Sequence, residues 1–434
     1  MRGLAFILML ALSACATARP INAPLTSPQM QAPGRAAVGE DLIVLALSGG
    51  GARAASFHLG VLQGLRDMRG RDGAPLSEHV ALISSVSGGS VLAAYYGLHG
   101  ERGLDNFRAA YLDKDWRVRR QYSPLGLVGA LRGGMNGPAQ LADWLDRELY
   151  GGAHMDALAA GPRVVINASD LYNATAFAFT PFYFDGVCSD LARVRVADAV
   201  AASMAAPVLF RPILAQSFPE ANCPAPAWMA PILADRAAPE SARATAYAFE
   251  NYRGARLAQQ LYVLLGDGGL TDNLGLLSLS VAQAALPAPA PLSEHEALQA
   301  RRVLVLVVNA EYVRDRTFQQ RATDAYGAYE MMYAPLDASV DAAKRSALDA
   351  FRANLPEWER VLRDFRCARG VAQCENFSMT LDVLTFRDMT ADEYRALYNV
   401  RTDVSIEADD VTALIAAGRG VITRNAAVRE FRAD

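Results

Sequence analysis

Three glycine-flanked blocks carry the residues of this chain that could do chemistry: Ser48-Gly49-Gly50-Gly51-Ala52-Arg53-Ala54, Ser85-Val86-Ser87-Gly88-Gly89 and Asp267-Gly268-Gly269. The second sets a serine between a β-branched apolar run and two glycines. That is the layout of a nucleophile on a sharp strand-to-helix turn, G-x-S-x-G, except that Ser85 occupies the first glycine position. Small residues are needed there because strand and helix crowd together, and serine adds only a hydroxyl. The same residues also suit a plain tight corner. The third block offers a carboxylate that could serve Ser87 as a base, or merely a turn, for which Asp-Gly is common. The first presents backbone N–H groups beside a helix start, a nest that favours an anion. It fits the dinucleotide pattern G-x-G-x-x-G/A loosely. That use, however, needs an acidic residue at the end of the next strand, which here ends Ser-Val-Ser, and the Lys-Ser/Thr of a phosphate loop is missing.

The elements that must position these blocks read clearly. DLIVLALS (41–48) is a continuous apolar strand, residues 52–68 have helical spacing, VALISSV (80–86) is a second buried strand, and Gly88 to Leu98 forms a second helix. An amphipathic helix QLADWLDRELY (140–150) follows, then strands RVVINAS (163–169), QLYVLLG (260–266) and RRVLVLVVNA (301–310). Strands alternating with helices predict parallel βαβ units, and each block falls at a strand end, where open parallel sheets place their ligands. Residues 213–259 are rich in Pro and Ala with little periodicity, and read as a surface insertion or a lid. The C-terminal part holds a long helical region (318–365), an alternating strand FSMTLDVLTF (377–386) and a closing helix. With 434 residues, 52% hydrophobic and 20% charged, the chain can bury a large core, and a net charge of −4 with no basic stripe argues against nucleic acid as a partner.

The order of the blocks, together with AVAASMAAPVLFRP (199–212), resembles the patatin-like phospholipase family, whose signatures are G-x-G-x-x-G, G-x-S-x-G, D-G-G/A and an Ala-Ser-x-Ala-x-Pro-x-x-Phe-x-Pro stretch. The resemblance covers about residues 42–285. The chain departs from it at Ala54 and Ser85, both still small. It implies an α/β fold of three layers, α/β/α, with a mainly parallel central sheet in 41–285; the C-terminal third is not carried by these motifs, and 286–434 reads from its own pattern as a C-terminal α+β extension packed on the same domain. It further implies a Ser87 nucleophile with Asp267 as general base and no histidine. The oxyanion would be held by N–H groups of Gly49, Gly50 and Gly51 with Gly88, and Arg53 could add positive charge or simply form an ion pair at the helix end. No cofactor and no metal are implied. The substrate would be a phospholipid, lysophospholipid or other acyl ester, with acyl transfer to an alcohol, or non-catalytic lipid binding in the cell envelope, as alternatives. The histidines agree with a dyad: His295 is the one histidine after Asp267, in a loop sequence, His58 lies on the apolar side of its helix, and His79, His99 and His154 show no metal-ligand pattern.

The N-terminus, MRGLAFILMLALSACATARP, has Arg2 before an apolar run from Leu4 to Leu12, too short to span a bilayer. Leu12-Ser13-Ala14-Cys15 resembles the lipobox of bacterial lipoproteins. It implies a signal peptide at 1–14, acylation at Cys15 and a membrane partner through that anchor. Ala16, where Asp would signal inner-membrane retention, favours the outer membrane, facing the periplasm. Residues 15–40, rich in Pro, Ala, Ser, Thr and Gln, read as a flexible tether reaching about 25–30 Å. Four further cysteines suggest disulfides in an exported chain, with Cys188–Cys223 and Cys367–Cys374 favoured by proximity over free thiols.

Overall fold

A computed structural model describes residues 19–26, 28–29, 33–114, 138–207, 209–219, 223–254, 259–310 and 328–433. Eight strands form one sheet: β1 (Asp41–Leu47), β2 (Val80–Val86), β3 (Arg163–Asp170), β4 (Thr175–Ala178), β5 (Ile213–Gln216), β6 (Tyr262–Asp267), β7 (Arg302–Asn309) and β8 (Ser378–Thr385). Their order is β5-β6-β3-β2-β1-β7-β8, with β4 paired to β3 outside that path. β3, β2, β1, β7 and β8 run parallel. β1, β2 and β7 are buried almost throughout, which is why each reads as an unbroken apolar run instead of alternating. Helix α1 (Gly51–Asp67) follows β1 and α2 (Gly88–His99) follows β2, each starting within four residues of its strand end.

The parallel pattern stops at β6. This strand runs antiparallel to β3, and β5 antiparallel to β6. The stretch read as a surface insertion or a lid therefore begins with β5, the edge strand of the sheet itself. Helices α3 (Val196–Ser203) and α4 (Glu240–Arg253) flank this edge. Phe249 of α4 packs into an aromatic cluster with Phe182, Tyr183 and Trp228, and Tyr252 donates to Asp170 at 2.5 Å. Small helix-forming alanines give this stretch little hydrophobic periodicity, so burial here rests on a few aromatics.

A boundary at 285 also divides what the structure keeps whole. β7 lies between β1 and β8, so the sheet takes two of its strands from 286–434. Helices α5 (Leu277–Ala285), α6 (Ala328–Ala368) and α7 (Ala408–Arg424) pack on the same core. α7 lies on α1 at backbone contact: a Cβ at Gly60 would overlap the Ile415 carbonyl, and one at Gly418 the Phe57 carbonyl.

The stretch read as a free tether is docked, among its described residues, from Ile21 onward. Ile21 donates its N–H to Leu214 of β5 at 3.0 Å, the Asn22 side chain exchanges hydrogen bonds with the Gln216 backbone, and Leu25 donates to Cys188 at 2.9 Å. Further on, Arg35 and Val38 bond to Gly161 and Glu78. The polar composition that suggested disorder here supplies partners for an otherwise open sheet edge. Cys15 and the start of the expected 318–365 helical region lie outside the described residues. Cys188 is bonded to Cys223 and Cys367 to Cys374, with Cα atoms 5.7 and 5.1 Å apart.

Substituting Gly418→Val should lower stability by about 1–3 kcal/mol through overpacking against α1. If the C-terminal region belongs to the same cooperative unit, urea unfolding will show one transition with a lower midpoint. A separate early transition would mean that α7 unfolds on its own.

Candidate active site

The serine of the second block stands between β2 and α2 with φ 49° and ψ −119°. A non-glycine residue rarely occupies this region, and holding it there costs on the order of 1–3 kcal/mol. Glycines on either side make the turn possible. A Cβ on Gly88 would overlap the Gly51 backbone, and one on Gly89 would lie 2.7 Å from the Leu47 carbonyl oxygen. The turn after β2 is thus pressed against the glycine loop after β1.

Ser87 Oγ donates to Asp267 Oδ2 at 2.9 Å. Asp267 closes β6, directly opposite Ala168 of β3, and Gly269 N donates to its other oxygen, Oδ1, at 2.8 Å. The two glycines after it have steric reasons: a Cβ at Gly268 would overlap the Asn167 carbonyl, and one at Gly269 would meet Asp267 Oδ1 and Asn273 Oδ1. Burial pushes the Asp267 carboxyl up to about 6, against the lowering effect of the Gly269 and Ser87 hydrogen bonds. A carboxylate raised this far is a better proton acceptor than an exposed one and still ionised at neutral pH.

What aligns Ser87 with Asp267 is Ser203, a residue to which the sequence patterns assign no role. Its Oγ accepts the Ser87 N–H at 2.8 Å and donates to the Asn167 carbonyl at 2.6 Å. Its carbonyl accepts the Gly268 N–H at 3.2 Å, and the Ala205 carbonyl accepts that of Asp267 at 3.0 Å. Ser90 Oγ lies 3.0 Å from Ser203 Oγ and 3.1 Å from Ser85 Oγ, and Ser85 Oγ donates to the Val165 carbonyl at 3.0 Å. The hydroxyl that replaces the first glycine of the elbow is therefore satisfied in a buried network, which also includes Asn167, Ser84 and Ser278. The Ala-Ser-x-Ala stretch was the available signal for Ser203.

Two expected parts of an oxyanion site are otherwise engaged. Gly49 N–H donates to the Asn273 carbonyl at 3.1 Å, so it is not a free donor. Arg53 is 2% exposed, and its guanidinium donates to the Ala310 and Val400 carbonyls at 3.0 Å each. It fixes the glycine loop to the end of β7 and to the C-terminal region. Among the described residues the N–H groups of Gly50, Gly51 and Gly88 have no hydrogen-bond partner. Asp272, buried and accepting the N–H groups of Leu274 and Leu277, shapes the loop that brings Asn273 against Gly49.

No histidine approaches the pair. His58 is fully buried, and burial holds its ring neutral, with a pKa of about 3. His295 is in the short helix Glu294–Gln299, which Glu296 ties to Arg163 at the start of β3, the far end of the sheet from Ser87. A hydroxyl bonded to a desolvated carboxylate, beside free backbone donors, can attack an ester carbonyl and stabilise the anion that results.

A family model described as patatin-like phospholipase matches residues 45–280. Among solved structures, human GIVD cytosolic phospholipase A2 in complex with methyl γ-linolenyl fluorophosphonate is 13% identical with a TM-score of 0.39, over 91% of this chain and 59% of that one. VipD from Legionella pneumophila is 13% identical with a TM-score of 0.33, over 96% of this chain and 72% of that one. The chain thus spans about three-fifths of the human protein. No curated protein matches the sequence.

Removing the Ser203 hydroxyl with Ser203→Ala leaves the Ser87 N–H and the Asn167 carbonyl unsatisfied, at a cost of about 1–3 kcal/mol. Labelling of Ser87 by a fluorophosphonate should slow by at least about tenfold, toward the roughly hundredfold that a misplaced reacting group costs. Labelling at the parent rate in the folded variant would remove Ser203 from any positioning role.

Proposed function

As this chain belongs to the patatin-like phospholipase family, we propose that it is a lipid acyl hydrolase in which Ser87 is the nucleophile and Asp267 the general base. The observation that carries this reading is the 2.9 Å hydrogen bond from Ser87 Oγ to a carboxylate raised to about 6 by burial. Asp267 takes the proton of Ser87 as Oγ attacks the ester carbonyl. The carbonyl oxygen becomes an anion facing the free N–H groups of Gly50, Gly51 and Gly88, each such donor being worth about 3–4 kcal/mol. Collapse expels the alcohol, which takes the proton from Asp267 and leaves an acyl-serine. Water then attacks, giving its proton to Asp267, and the fatty acid leaves as Ser87 recovers its proton. Phospholipids and lysophospholipids are the proposed substrates.

Ser87→Ala and Asp267→Asn should each abolish hydrolysis of an acyl ester by the folded full-length chain. The parent should lose activity as pH falls through about 6, since protonated Asp267 cannot accept a proton, with roughly tenfold loss of kcat/KM per pH unit below that. Activity retained by pure Asp267→Asn, or a pH profile flat down to about 4.5, would end the dyad reading.

We also propose that the chain is anchored through an acylated Cys15 to the outer membrane on its periplasmic side, on the strength of Leu12-Ser13-Ala14-Cys15 and the following Ala16. Labelled palmitate fed to expressing cells should then enter the parent protein and not Cys15→Ala. Equal labelling of both would rule out this anchor.

A further inference from the structure

Five large hydrophobic side chains are exposed among the described residues, and four of them share one place: Leu171, Tyr172, Leu261 and Tyr262, with Tyr172 74% exposed. Leu171 and Tyr172 follow β3, and Leu261 precedes Tyr262, the first residue of β6, the antiparallel neighbour of β3. Leu171 N–H donates to the Leu264 carbonyl at 3.0 Å, and the Asn173 side chain reaches Gln260 at 3.0 Å, so the two segments form a continuous surface. No charged residue occurs in 171–174 or 259–265. The Tyr172 turn is built and rigid: Asp170 Oδ1 accepts the N–H groups of Tyr172 and Asn173, Tyr252 holds Asp170 Oδ2, and Ala174 adopts φ 52°.

The position of this surface follows from register. Ser87 leaves β2 one residue beyond Val86, which pairs with Asn167, and Asp267 pairs with Ala168. Leu171 is three residues past Ala168 in the same direction, about 10 Å beyond the level of Ser87 and Asp267 at roughly 3.3 Å per residue. The apolar rim therefore projects outward at the end of the sheet that carries the pair. The docked N-terminal segment runs beside it, since Asn22 bonds Gln216 of β5, and Gln216 pairs with Tyr262. From Arg19, the first described residue, Cys15 is four residues away, a reach of at most about 14 Å.

We propose that the Leu171–Tyr172–Leu261–Tyr262 rim is a bilayer-docking surface, which inserts at the lipid headgroup boundary and turns the mouth at Ser87 toward the membrane. This deepens the acyl-hydrolase reading above and rests on it. Uncharged apolar side chains flanked by tyrosines suit that boundary, where one end of the ring is apolar and the phenol stays wet. The short reach to Cys15 names a lipid surface as occupant in preference to a protein partner, because the acyl group proposed there, on which this choice also rests, would bring the rim to the bilayer. Val38, the fifth exposed side chain, bonds to Glu78 just ahead of β2 and lies at the opposite end of the sheet.

The test uses the full-length protein on vesicles of phosphatidylethanolamine and phosphatidylglycerol, with nitroxide-labelled lipid as quencher. Emission added by Tyr172→Trp should shift blue and be quenched, while that added by Val38→Trp should not respond. Tyr172→Ser combined with Leu261→Ser should lower hydrolysis of vesicle phospholipid at least about tenfold, with hydrolysis of a soluble short-chain ester unchanged. If the emission added by Tyr172→Trp escapes quenching, or if the double substitution costs both substrates equally, the proposal is overturned. So does a lipid-free dimer overturn it, if sedimentation shows one that the double substitution abolishes, because the rim would then bind a second copy. Quenching of the Tyr172→Trp emission in a protein that hydrolyses neither substrate would sustain the docking surface and sink the hydrolase reading.

Discussion

The site depends on one buried hydroxyl. Ser203 Oγ holds the backbone of Ser87 in a conformation that serine does not choose, while the carbonyl of the same residue holds the glycine after Asp267. Ser87 and Asp267 lie 180 residues apart, at the ends of strands of opposite direction, and neither strand alone sets their separation. The end of one short helix, read from both its side chain and its main chain, fixes both. The strain at Ser87 is offset locally by that hydrogen bond, and the close backbone contacts of Gly51 with Gly88 leave the turn little room to relax.

In the proposed dyad, a carboxylate serving without histidine has to be made basic by its surroundings. At Asp267 burial does so, while two hydrogen bonds limit the shift and keep the group ionised near neutrality. Gly269 serves this twice: its N–H orients one carboxylate oxygen, and its missing side chain leaves room for that oxygen. Asp-Gly-Gly is thus a steric and electrostatic requirement of the site as well as a turn.

Much of this was legible because it rests on local pattern. Unbroken apolar runs mark the central strands, and paired glycines at strand ends mark turns where backbones must touch. The residues that escaped reading depend on distant partners. Nothing around Arg53 says that its guanidinium will be taken up by carbonyls near residues 310 and 400, and nothing around Gly49 reveals that Asn273 claims its N–H. The antiparallel turn at β6 leaves no trace in a strand whose composition resembles its parallel neighbours. The described residues between 21 and 38 mislead for a related reason: a segment held by scattered hydrogen bonds to strand β5 and to surrounding loops needs no hydrophobic periodicity, so its sequence looks like a linker.

That docked segment carries a consequence for maturation. Asn22 is among the first residues made, yet its partner Gln216 lies 194 positions later in the chain. Until β5 exists the N-terminal stretch has no edge to join, and closing so long a loop comes late in folding. A lipid attached at Cys15 would then begin on a long leash and finish on a short one, drawn in as the last sheet edge is sealed. Closeness to the bilayer would become a property of the completed fold, withheld from unfinished chains.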